Sequence, residues 1–146
     1  KLYMVKNIKE LFIKINKNFN KNYGLKKLIP IINDYNGNDW KKYVNFEENK
    51  YFRNSIFKND NIEIVIISWN NSQYSGFHNH PEYGCILKVL DGEIIEQTTI
   101  NNIYHNNILK KNSIGFQQGK FGIHNIINKN NKSVSLHVYS PPINLS

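Results

Sequence analysis

The sequence predicts a mainly β protein, a small antiparallel barrel or sandwich behind an N-terminal helical cap. Three observations predict it. Apolar residues recur at helical spacing through the first fifty residues, and short β-branched runs bounded by turn residues fill the remainder. No βαβ alternation and no phosphate-cradling glycine loop appears, which argues against a parallel α/β fold. A chain of 146 residues encloses one core, so a single domain is expected over 1–146, with the cap in 1–50 and the barrel in 51–146.

The elements follow in order. Val5, Ile8, Leu11, Phe12, Ile15 and Phe19 form one face of an amphipathic helix, and Asn7 with Glu10 makes a capping pair at its start. A second short helix is expected to bury Leu25, Leu28 and Ile31, with Pro30 awkwardly placed inside it. A third, from Asn38 or Asp39, would bury Trp40, Tyr43 and Val44. "IEIVIISW" (62–69) and "YGCILKVL" (83–90) read as strands. Asp91-Gly92 reads as the turn of a hairpin whose returning strand is "EIIEQTTI" (93–100). "FGIHNII" and "SVSLHVYS" supply two more strands, while "NNIYHNN", which holds His105, and "NKNNKS" (128–133) read as polar loops.

Composition removes several function classes. The net charge is +8, but the lysines are scattered among 26 asparagines, with no basic stripe and no nucleic-acid module, so no nucleic-acid role is expected. No apolar run approaches the length that crosses a bilayer, and "KLYMVKNIKELF" lacks the apolar core of a signal peptide. One cysteine excludes an internal disulfide and fits a reducing compartment. A cytoplasmic protein is expected.

The chemistry concentrates in "SGFHNHPEYGCILKVLDG" (75–92). On a strand, His78 and His80 project to one face while Phe77 and Asn79 project to the other. Two neutral imidazoles facing inward suit a divalent transition metal, although an H-x-H pair alone is a weak signal. His124 is the third candidate; any single histidine also reads as a half-buried core residue. In "SVSLHVYSPP", Ser135, His137 and Tyr139 share one face and Leu136 and Val138 the other. A polar row facing a core is costly unless it serves a site or a hydrogen-bond network.

The spacing of His78, His80, Cys85 and Gly92 follows the first cupin motif, with cysteine where cupins usually have a metal-binding glutamate. His124 with Asn128 echoes the second. Together with "WKKYVNFEENKYFRN" (40–54), "IGFQQGKFGIHNI" (114–126) and "SLHVYSPP", the chain resembles the cysteine dioxygenases, the thiol-oxidising branch of the cupins. The resemblance implies a cupin-type barrel holding one Fe(II) per chain, with His78, His80 and His124 as facial ligands and no carboxylate. It implies Tyr139 beside the iron, Cys85 joined to it by a thioether, His137 hydrogen-bonded to the tyrosine and Ser135 behind it. Arg53 would hold a substrate carboxylate, Tyr51 would orient that arginine, and Ser140-Pro141 would be cis.

This chemistry coheres on its own terms. Three neutral ligands leave the metal its full charge and three adjacent positions, two for a thiolate and its neighbouring amine and one for O2. Arg53, the chain's single arginine, binds a carboxylate bidentately as lysine cannot, though an arginine in a lysine-rich chain also reads as a surface residue. Relatives that oxidise 3-mercaptopropionate typically carry glutamine there and lack the cysteine, and cysteamine needs no carboxylate clamp. L-cysteine is therefore the expected substrate, O2 the co-substrate and cysteine sulfinic acid the product. The alternatives are another small thiol (3-mercaptopropionate or cysteamine) or a non-catalytic metal-binding cupin. A monomer is expected on the resemblance alone. Many family members continue past "SPP" with another strand or more, whereas four residues follow it here: either this member is short or the sequence is incomplete at that end.

Overall fold

Asn7 starts the first helix. Its side chain accepts the backbone N–H of Glu10 at 2.8 Å, satisfying a donor that the helix start leaves unpaired, and the Glu10 carboxylate accepts the N–H of Lys6, the residue before the cap. The structure, a computed structural model, describes residues 5–119, 123–129 and 131–143. Helix α1 (Ile8–Asn18) buries Ile8, Leu11 and Ile15, as its spacing predicts. The second helical segment is a 3-10 turn, Lys26–Leu28, running into α2 (Ile29–Asn33). Pro30 lies in the first turn of α2, where a missing N–H costs nothing, so its place is favourable rather than awkward. Ile32 rather than Ile31 is fully buried. The third segment is a 3-10 turn, Asp39–Tyr43; Trp40, Tyr43 and Val44 pack half-buried against the core.

Eight strands follow: β1 (Phe52–Lys58), β2 (Glu63–Trp69), β3 (Gly84–Asp91), β4 (Glu93–Ile100), β5 (Ile103–Lys110), β6 (Ile114–Gln117), β7 (His124–Ile127) and β8 (Ser133–Ser140). They form two antiparallel sheets, ordered β1-β2-β8-β3-β6 and β5-β4-β7. Every residue of β2 and β8 is buried, and so is β3 up to Leu90. The alternation explains this. Ile64, Ile66, Ile86, Leu136 and Val138 pack beneath the helical cap, while Val65, Ile67, Trp69, Cys85, Leu87 and Tyr139 pack on the opposite face. Lys88 ties the cap to the sheet: its buried Nζ donates to the carbonyls of Ile32, Asn33 and Tyr35 at 2.7–3.3 Å.

Three expectations are corrected. Asp91-Gly92 is not a hairpin turn, because β3 pairs with β8 and β6 while β4 pairs with β5 and β7. Both edges of β3 are taken, so the chain uses the positive φ of Gly92 (74°) to leave one sheet and enter the other. The hairpin is β4–β5, turned at Asn101-Asn102 with φ of 52° and 64°, the two-residue positive-φ geometry of a type I′ turn. Strand β5 therefore takes up "NNIYHNN" from Ile103 on, and His105 is an exposed residue on it. The third correction is Asn128, which is fully buried rather than part of a surface loop: its Nδ2 donates to the carbonyls of Trp69, Asn70 and Asn131. Phe121 and Gly122, expected at the start of β7, and Asn130 lie outside the described residues. Among the described residues, no helix is long and apolar enough to cross a membrane.

Candidate metal centre

His78 and His124 meet because their backbones do. They form an isolated antiparallel bridge, His78 N–H to His124 O at 3.1 Å and His124 N–H to His78 O at 3.4 Å, which sets both side chains on one face. Residues 77–81 are loop rather than the strand expected for His78 and His80. His80 nevertheless turns inward, its N–H held by the Gly119 carbonyl. Phe77 faces out, whereas Asn79, expected to point away, borders the same pocket as His78.

The three imidazoles converge through Nε2. His80 to His124 is 2.8 Å and His124 to His78 is 3.1 Å, and one ligand atom from each lies within 4.8 Å of the others. The far nitrogens of two of them are tied back. His78 Nδ1 lies 2.9 Å from the Gly76 carbonyl and His124 Nδ1 lies 2.9 Å from Glu96 Oε2. A carbonyl and a carboxylate only accept, so both Nδ1 atoms carry the proton and both Nε2 lone pairs face the centre. Burial also holds His78 below the ordinary imidazole pKa, which keeps it neutral. Nitrogens about 2.1 Å from one metal ion at right angles stand about 3.0 Å apart. Two of the three nitrogen pairs match that spacing, so the donor set is compatible with a three-nitrogen metal site, and neutral imidazoles suit Fe, Zn, Cu or Ni.

Beside the histidines lies a cavity of about 250 Å³, lined on its other walls by Tyr51, Arg53, Ile67, Trp69, His137, Tyr139 and Ile143. A directed chain of hydrogen bonds crosses its floor. Trp69 Nε1 donates to Ser135 Oγ (2.9 Å), Ser135 Oγ lies 2.7 Å from His137 Nε2, and His137 Nδ1 lies 3.2 Å from Tyr139 Oη. Indole N–H can only donate, so Ser135 Oγ accepts from Trp69, and the His137 ring joins the serine hydroxyl on one side to the tyrosine hydroxyl on the other. Burial pushes His137 well below, and Tyr139 well above, their ordinary pKa values, so both are neutral.

Cys85 lies directly across from Tyr139 in the β3–β8 register, so the two side chains share a face; burial pushes its thiol pKa well up. Arg53 sits over the Tyr139 ring at 5.2 Å, and its Nη2 is buried with no hydrogen-bond partner. Tyr51 stacks on Trp69 (centroids 4.7 Å apart), which places it at the pocket wall. The Ser140–Pro141 peptide is cis.

Three functional positions escape the sequence reading. Glu96 has a signal: it follows buried Ile94 by two residues on β4, putting a carboxylate on an inward position. Trp69 has one as well, since a buried indole N–H needs an acceptor. Glu63, buried at the start of β2, has none beyond being a charge in an apolar run.

An antiparallel two-sheet barrel with histidines converging at one mouth defines the cupin architecture, and solved structures agree. The chain is similar to a Thermus thermophilus protein (TM-score 0.63, 16% identity, 71% of this chain and 95% of that one). It is similar to a cupin superfamily protein from Desulfitobacterium hafniense (TM-score 0.59, 14%, 68% and 84%) and a double-stranded β-helix protein from Klebsiella pneumoniae (TM-score 0.61, 20%, 69% and 80%). Within that architecture, the chain belongs to the family described as Cysteine dioxygenase type I, whose model matches residues 4–145. It is 28% identical over 120 residues to "Cysteine dioxygenase type 1" of Danio rerio (73% of this chain, 59% of that protein). Against the Bos taurus protein of the same name it is 29% identical over 115 residues (71% and 58%). The chain thus spans somewhat under two thirds of the length of these curated relatives.

Proposed function

We propose that this protein is an Fe(II)-dependent thiol dioxygenase that adds both atoms of O2 to the thiol of L-cysteine, giving cysteine sulfinic acid. One observation carries the reading. Three imidazole nitrogens converge beside a pocket whose wall holds a buried guanidinium nitrogen with no hydrogen-bond partner. A buried donor left unpaired is costly, and a ligand carboxylate would satisfy it. Family membership supplies the reaction class.

His78, His80 and His124 would hold the iron, with Glu96 fixing the orientation of His124. Bound there, iron would supply the one-electron chemistry that lets O2 react with a thiolate. Arg53 would clamp the substrate carboxylate through its planar fork and so set the thiol toward the histidines. Trp69, Ser135 and His137 would hold the Tyr139 hydroxyl in place beside the bound reactants. Ile67, Trp69 and Ile143 exclude water from the same space. Cys85 and Tyr139 would form the family's thioether; joining Sγ to the ring removes two protons and two electrons, which O2 would accept.

The test is oxygen uptake by the Fe(II)-loaded protein with L-cysteine, 3-mercaptopropionate and cysteamine, with products identified by mass spectrometry. Uptake with L-cysteine yielding the sulfinic acid, together with a large rise in KM for Arg53→Gln, is expected. Uptake only with another thiol would discard the carboxylate argument. No uptake at full iron occupancy would leave a metal-binding cupin without this activity.

A further inference from the structure

Glu63 has no part in the roles above, yet it is the charged group beside the substrate clamp. It is 2% exposed and lies on the interior face of β2, where its Cα pairs with Tyr139 of β8. Its carboxylate is held in place from two sides: Ser55 Oγ donates to Oε2 at 2.7 Å, and the backbone N–H of Ile143 donates to Oε1 at 3.1 Å. Arg53 Nη2 stands 3.8 Å from Oε1, within ion-pair range but beyond hydrogen-bond range. The guanidinium therefore has a fixed counter-charge without spending a donor on it, and its Nη2 stays unpaired.

We infer that Glu63 is a specificity-determining positioning residue: it neutralises Arg53 in the empty pocket and opposes any ligand carboxylate that docks there. The inference rests on the proposed role of Arg53 as the carboxylate clamp. A guanidinium stays charged at working pH, and burying it without a counter-ion would be costly. Glu63 supplies that counter-ion from behind the pocket, since it does not line the cavity while Arg53 does. A substrate carboxylate then gains the hydrogen bonds that Nη2 lacks but meets the field of a second carboxylate a few ångströms further on. Binding is favoured only for ligands whose other groups, thiol and amine at the metal, add to the clamp. A simple carboxylate without a thiol gains too little to stay. The same residue anchors Ile143, which lines the cavity, so the counter-charge and that wall are fixed by one side chain.

The test is anaerobic calorimetric titration of the Fe(II)-loaded protein with L-cysteine and with cysteamine, which has the thiol and amine but no carboxylate. Glu63→Gln keeps the shape and an acceptor for Ile143 while removing the charge. It is expected to tighten L-cysteine on the order of tenfold and to leave cysteamine within about twofold. An unchanged or weaker L-cysteine affinity, or equal shifts for both thiols, would overturn the inference. Arg53→Gln separates the two layers of the argument. If it weakens L-cysteine while Glu63→Gln has no effect, the clamp stands and the counter-charge role falls. If it leaves L-cysteine unaffected, the clamp falls and takes this inference with it. Should Glu63→Gln fail to fold, Glu63→Asp withdraws the charge by one methylene. A tightening of about threefold for L-cysteine alone is then expected, and no change would overturn the proposal.

Discussion

Replacing Glu96 tests how the metal centre is held. Its Oε2 accepts the Nδ1–H of His124 at 2.9 Å, and both side chains are buried. A hydrogen bond to a charged group contributes about 1.5–3 kcal/mol and a neutral one about 0.5–1.5 kcal/mol. Glu96→Gln keeps an acceptor oxygen and loses the charge, a difference of about 1–1.5 kcal/mol, which is on the order of tenfold in metal affinity. Glu96→Ala leaves the Nδ1–H buried without a partner and frees the imidazole to turn. About 2–3 kcal/mol, or roughly 30- to 150-fold, is expected. Gly115→Ala approaches the same carboxylate from the other side. Its new Cβ would lie 3.2 and 3.3 Å from the two oxygens, so a few-fold weakening is expected without any change of charge. Affinities are read by anaerobic titration with Fe(II) or Zn(II) against a coloured chelator, with circular dichroism to check the fold. Glu96→Gln and Glu96→Ala both within twofold of the parent protein, or Glu96→Gln weaker than Glu96→Ala, would refute the reasoning.

Two further outcomes follow from buried groups outside the ligand set. His137 is held neutral by burial, its pKa well below the ordinary value, whereas the unfolded chain takes up that proton near pH 6.5. The stability of the metal-free protein should be unaffected by this group above that pH. It should fall by up to about 1.4 kcal/mol per pH unit below it, measured by urea unfolding, and His137→Gln should remove that part of the slope. Lys88→Met leaves the carbonyls of Ile32, Asn33 and Tyr35 without their shared donor. A loss of about 2–4 kcal/mol is expected in the same assay at unchanged m-value; a loss under about 0.5 kcal/mol would show that water replaces the lysine.

Periodicity and residue chemistry are local properties, and what depends on them was legible in the sequence. The face of α1, the capping pair at Asn7, the strand β8 and its alternation of Ser135, His137 and Tyr139 against Leu136 and Val138 all follow from spacing along one element. The histidines and Arg53 were visible because their side-chain chemistry singles them out; the structure brings His78, His124, Arg53 and Tyr139 around one pocket, His80 against the other two histidines and Cys85 across from Tyr139 in the strand register. Strand β5 was hidden because seven of its eight residues are exposed at a sheet edge, which erases the polar–apolar alternation. Asp91-Gly92 misled because a positive φ serves a hairpin and a sheet-to-sheet corner equally; only the occupation of both edges of β3 decides between them. The partners Glu96 and Glu63 belong to the tertiary structure alone. A buried carboxylate acquires its meaning from what the fold packs against it, here an imidazole 28 residues away and a guanidinium on the neighbouring strand.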